Sequence, residues 1–148
     1  GKGIVHSERT DPHRRKIGSN LHGMQAWVAL PKELEEIDPE FRHHRGPDLM
    51  EYSGQGLFAR LIAGEAYGAK TKVRTHSPLY YVHWELGGGV KAAPPKGYSE
   101  NAAYVVRGLV EVGGRRFGPG NMIVFEKNAE PVVQALTPST VMLEPSLR

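Results

Sequence analysis

Ala102-Ala103-Tyr104-Val105-Val106-Arg107-Gly108-Leu109-Val110-Glu111-Val112-Gly113-Gly114-Arg115-Arg116-Phe117-Gly118-Pro119-Gly120 reads as apolar run, glycine turn, apolar run, hairpin and Gly-Pro-Gly turn. Val112-Gly113-Gly114-Arg115 is a strong two-residue hairpin signal, because both glycines can take positive φ. Outward from this stretch the same texture continues. Short apolar runs fall at Leu57–Ala63, Leu79–Leu86, Ala102–Val106, Leu109–Val112, Met122–Phe125, Val132–Leu136 and Thr140–Leu143. Gly64, Gly68, Gly87-Gly88-Gly89, Pro131 and Pro138 punctuate them. Many short strands with frequent turns and almost no helix predict an all-β sandwich or barrel.

Before residue 57 the pattern is looser. Gly3 to Val5 reads as a strand running into His6, and Met24 to Leu30 as a second, buried strand. Residues 9–20 are polar, with Asp11-Pro12 and Gly18-Ser19-Asn20 as turn signals. Pro31 to Glu36 suits one helical turn, and residues 37–56 have the composition of a linker.

Composition narrows the class. The chain has 148 residues, 39% of them apolar, with 18 Gly and 11 Pro and no internal period. There is no cysteine, which excludes disulfides, thiol nucleophiles and cysteine-ligated zinc. A reducing cytoplasm is the expected compartment. No apolar run reaches the roughly 18 residues of a membrane span, and no signal-peptide pattern is present. The net charge of +3 is scattered. Arg14-Arg15-Lys16 is the one basic cluster, and it reads as a solvated loop rather than a nucleic-acid stripe.

His6 and Glu8 carry the clearest chemical signal. On an extended strand, residues two apart share a face. An imidazole and a carboxylate directed together are half of a nitrogen/oxygen site for a divalent transition metal. The bland alternative is a polar strand end. His83 and Glu85 repeat the spacing within Leu79–Leu86. There Tyr80, Val82, Trp84 and Leu86 would form a core face, with Tyr81, His83 and Glu85 on a half-polar outer face. His43-His44 and His13 read as loop residues, and His22 and His76 as structural residues beside strands. No nucleophile elbow or phosphate-binding glycine loop is present.

Gly113-x5-Pro119-Gly120 resembles the second motif of the cupin barrel, and Tyr104–Val112 resembles the end of the first. Further blocks resemble the pirin family: Gly1-Lys2-Gly3-Ile4-Val5-His6-Ser7-Glu8, Leu21-His22-Gly23-Met24-Gln25-Ala26-Trp27-Val28-Ala29-Leu30-Pro31, Leu61-Ile62-Ala63-Gly64-Glu65-Ala66-Tyr67-Gly68 and Thr75-His76-Ser77-Pro78-Leu79-Tyr80-Tyr81. Their order and spacing match across almost the whole chain.

The resemblance implies a bicupin, two jelly-roll barrels in tandem. It implies residues 1–36 as a remnant of the N-terminal barrel, 37–56 as linker and 57–148 as the C-terminal barrel. The family's first barrel binds one metal, usually described as iron, through three histidines and one glutamate. His6 and Glu8 match the third and fourth ligands. The first two, a His-x-His pair, would lie before Gly1.

Some family members resemble quercetin 2,3-dioxygenases in activity, and others act as transcriptional cofactors. The implied function is therefore metal-dependent oxidation of a flavonol-like phenol, with Fe(II) or another divalent metal as cofactor and Glu8 as ligand or local base. The alternative is a non-catalytic binding or transcriptional-cofactor module with a protein partner. Counting back from Gly108, the second barrel's glutamate position falls at Asn101, and its His-x-His positions fall within Pro94-Pro95-Lys96-Gly97. That barrel is expected to be a scaffold or partner surface. Unpaired apolar strand edges in the opening segment would favour dimerisation by strand exchange. Direct nucleic-acid and membrane contacts are not expected.

Overall fold

The computed structural model describes residues 1–18, 20 and 23–145. The chain divides into two units, residues 1–42 and 43–148.

The first unit holds no strand among its described residues. This corrects the strands expected at 3–5 and 24–30. A strand exists only where a neighbour takes up its N–H and C=O groups. Near residue 3, among the described residues, an inter-segment backbone bond runs from Lys2 N–H to Ile37 O at 2.9 Å, supported by Lys2 Nζ to Asp38 Oδ1 at 3.1 Å. The expected loop around Arg14-Arg15-Lys16 is instead a short helix, α1 (Pro12–Ile17). Asp11 caps it, its Oδ1 accepting from His13 N–H at 2.9 Å and Arg14 N–H at 3.3 Å. Asp at the N-cap with Pro just after it is a helix start as well as a turn signal. The helical turn expected at 31–36 is present as a 3-10 turn, Lys32–Leu34.

The second unit is built of strands: β1 (Met50–Gly54), β2 (Leu57–Ala66), β3 (Ala69–Lys70), β4 (Tyr80–Leu86), β5 (Lys91–Ala92), β6 (Ala102–Arg107), β7 (Val110–Val112), β8 (Arg115–Phe117), β9 (Met122–Val124), β10 (Val133–Ala135) and β11 (Ser139–Glu144). All seven strands expected in this unit are found, within a few residues at each end. β1 falls inside the stretch read as linker and pairs with β2 from Met50↔Leu61 to Gly54↔Leu57. One antiparallel sheet runs β1-β2-β4-β11-β6-β9, with β3 on β2; a second runs β5-β10-β7-β8. The neighbours in the first are mostly distant in sequence, as in a jelly roll.

The core lies between the sheets. Strand β4 alternates strictly: Tyr80, Val82, Trp84 and Leu86 are buried, and Tyr81, His83 and Glu85 are half-buried. Val141 and Leu143 from β11, Val105 from β6, Val110 from β7 and Val133 from β10 complete the packing. The hairpin β7–β8 closes with Val112 opposite Arg115. Gly113 and Gly114 have φ of 56° and 76°, the primed turn that matches strand twist.

Candidate functional site

In the first unit His6 and Glu8 stand on an exposed segment without regular structure, with side chains 55% and 87% exposed. His6 Nε2 lies 3.9 Å from Glu8 Oε1. The spacing thus brings imidazole and carboxylate together even without a strand. Two donors bonded to one ion at about 2.1 Å each stand about 3 Å apart at a right angle. Small side-chain rotations bring the pair to that separation, so the two residues fit neighbouring positions on one metal. Among the described residues no cluster of three His, Cys, Asp or Glu could hold a metal.

His83 and Glu85 lie on the outer face of the large sheet and serve a different role. Glu85 Oε1 is 3.1 Å from His83 Nε2, and Glu85 Oε2 is 3.2 Å from Arg107 Nη2. Thr140 Oγ1 donates to the same carboxylate at 3.0 Å. β4, β11 and β6 lie side by side here, with Glu85 opposite Thr140 and Thr140 opposite Arg107. The carboxylate is an electrostatic tie across three strands, half-exposed and worth about 1 kcal/mol per pair at most.

A third cluster was not evident in the sequence. Tyr80, wholly buried, donates its hydroxyl to Asn101 Oδ1 at 2.5 Å, and Asn101 Nδ2 donates to Tyr98 O at 3.2 Å. The rings of Tyr80 and Tyr98 meet edge to face with centroids 4.7 Å apart. The Tyr98 hydroxyl reaches Glu65 O at 2.6 Å, and Trp84 Nε1 donates to the Tyr67 hydroxyl at 3.1 Å. Burial pushes the Tyr80 hydroxyl well above its ordinary value, and the neighbouring Tyr67, Tyr98 and Glu144 add to the shift. Asn101, which stands where the glutamate position was counted, is therefore committed to hydrogen bonds with tyrosines. It also lines a cleft of about 510 Å³ between residues 93–101 and 128–132.

The remaining histidines are dispersed. His13 sits on α1, His43 is exposed, and His44 and His76 are half-buried in loops. His44 Nε2 has no hydrogen-bond partner among the described residues. His22 lies outside the described residues.

No protein-family model matches the chain. A pirin-like protein from Caulobacter vibrioides is 56% identical over 144 residues, covering 97% of this chain and 50% of that protein. Human pirin is 30% identical over 115 residues, covering 76% of this chain and 38% of that protein. Two crystal structures of quercetin 2,3-dioxygenase from Acinetobacter baumannii are similar in fold. One has a TM-score of 0.73 at 23% identity, covering 80% of this chain and 43% of that one. The other has a TM-score of 0.69 at 27% identity, covering 80% and 40%. The chain spans half or less of the length of these two curated relatives. Among the described residues no helix is long and apolar enough to cross a membrane.

Proposed function

The chain belongs to the pirin family, and on that premise we propose that its parent protein is a metal-dependent dioxygenase of the quercetin 2,3-dioxygenase type, with His6 and Glu8 among the metal ligands. The observation that carries this reading is the approach of His6 Nε2 and Glu8 Oε1 to 3.9 Å within a sequence 56% identical to a pirin-like protein. A bound Fe(II) or similar divalent ion would supply a Lewis-acidic centre with open positions for the oxygens of a flavonol-like phenol and for O₂. The chain's own share is narrower. His6 offers a neutral imidazole nitrogen. Glu8 offers a carboxylate that ligates and, through its second oxygen, can hold the proton of a substrate hydroxyl. Two further imidazoles complete the set in this reading.

The test uses the longest natural form of the protein. Metal content and quercetin-dependent oxygen uptake are measured for the wild type, His6→Ala and Glu8→Gln. Each substitution is expected to lower both by at least about tenfold. A wild-type protein without stoichiometric metal and without uptake overturns the proposal.

One observation favours a second reading, a non-catalytic binding or transcriptional-cofactor module. Asn101 ties Tyr80 and Tyr98 together with one acceptor and one donor, so the second unit has an amide and no carboxylate at this position. A pull-down with the same protein that returns no specific partner weighs against it.

A further inference from the structure

Asn101 is 4% exposed and lies against the cleft between residues 93–101 and 128–132. An asparagine amide has two donor hydrogens and two acceptor lone pairs. Among the described residues Asn101 spends one donor on Tyr98 O and one acceptor on Tyr80. One of each is left at a nearly buried position. Pro94 and Pro131, with Val132, provide apolar wall surface. The charged residues of the lining are Lys96 and Glu130, whose Nζ and Oε1 stand 3.6 Å apart across the mouth. Their charges oppose, so the rim favours neither an anion nor a cation. A volume of about 510 Å³ lies within the range of small-molecule sites, roughly 300–1,000 Å³.

We propose that this cleft is a metal-independent binding site for a small uncharged aromatic molecule carrying a group that both donates and accepts a hydrogen bond, read by the Asn101 amide. Proline rings suit the flat face of such a ligand. The opposed rim charges set the preference for neutrality. The site lies wholly within residues 43–148 and does not depend on His6, Glu8 or the dioxygenase reading.

The experiment is ligand-observed saturation-transfer NMR on the full chain, with benzamide as the probe and benzoate and benzylamine as its charged counterparts. Benzamide is expected to bind at least severalfold more tightly than either. Val132→Trp, at a half-exposed rim position, is expected to abolish the signal by filling the cleft. Asn101→Asp is expected to weaken binding at least tenfold. Circular dichroism reports whether each variant folds, and the Val132 variant carries the test if the Asn101 variant does not. The proposal is overturned if benzamide fails to bind the wild type. It is equally overturned if binding survives Val132→Trp, or if the charged probes bind as well.

Discussion

Gly108 holds φ at +87°, and a Cβ there would stand 2.2 Å from Ser139 Oγ and 2.5 Å from Pro138 O. Gly113 also has positive φ, at 56°, but a Cβ there meets nothing within 4 Å. The two positions therefore separate conformational strain from collision. Gly113→Ala is expected to cost about 1 kcal/mol, and Gly108→Ala about 2–4 kcal/mol, by urea unfolding. Equal costs would show that the approach at Gly108 relaxes freely. Tyr80 gives a pH signature. Its hydroxyl is held above the ordinary value of 10, first by burial and then by Tyr67, Tyr98 and Glu144. Above pH 10 the unfolded chain releases this proton while the folded chain keeps it. The unfolded state then holds fewer protons, and stability falls as pH rises. The urea midpoint is expected to be flat from about pH 7 to 9 and to drop above about pH 10. Tyr80→Phe should reduce that drop without abolishing it, because burial also raises Tyr67, Tyr81 and Tyr98, and should cost about 1–3 kcal/mol, because Asn101 Oδ1 loses its donor. A midpoint that holds through pH 11 contradicts the burial argument.

At the scale of elements, β4 is the clearest case of local pattern deciding structure. Its two faces are distinguished by alternation alone, and the burial follows it residue by residue. Trp84→Ala removes a wholly buried side chain and is expected to cost about 3–5 kcal/mol. His83→Ala, on the outer face beside Glu85, is expected to cost about 1 kcal/mol or less. Comparable losses in thermal or urea unfolding would mean the faces are misassigned. The β7–β8 hairpin was equally legible, since Gly113 and Gly114 can both take the positive φ of a primed turn without steric cost. β1 was not. Met50 to Ser53 alternates apolar and polar, but the run is only four residues long, ends at Gly54 and lies in a Gly/Pro-rich stretch, and its burial pattern is mostly exposed. It is a strand because β2 offers an edge, which is information held by another segment.

Among the described residues the buried hydrophobic side chains run from Ala59 to Met142 and Leu143, and none lies in residues 1–42. In that first unit Val5 is 97% exposed and Trp27 90% exposed. Residues 43–148 are therefore expected to keep the unfolding free energy of the full chain to within about 0.5 kcal/mol when residues 1–42 are removed. Brief trypsin treatment should cut first at Arg14, Arg15 or Lys16, all exposed on α1. Earlier cleavage inside β2, β4 or β11, or a large fall in midpoint on truncation, would falsify the placement of the core.

The sequence by itself determined the two faces of β4, the glycine hairpin, the seven core strands and the pirin resemblance. Each rests on short-range alternation, on backbone demands of single residues, or on ordered motifs. Tertiary structure alone decided what those residues meet. Asn101 is 21 residues from Tyr80, and no local rule pairs them. Glu85 meets Thr140 across 55 residues. Gly3–Val5 and Met24–Leu30 have strand-like composition but no strand, because a strand's hydrogen bonds belong to its neighbour. Propensity is written along the chain, whereas pairing is settled only when distant segments arrive side by side.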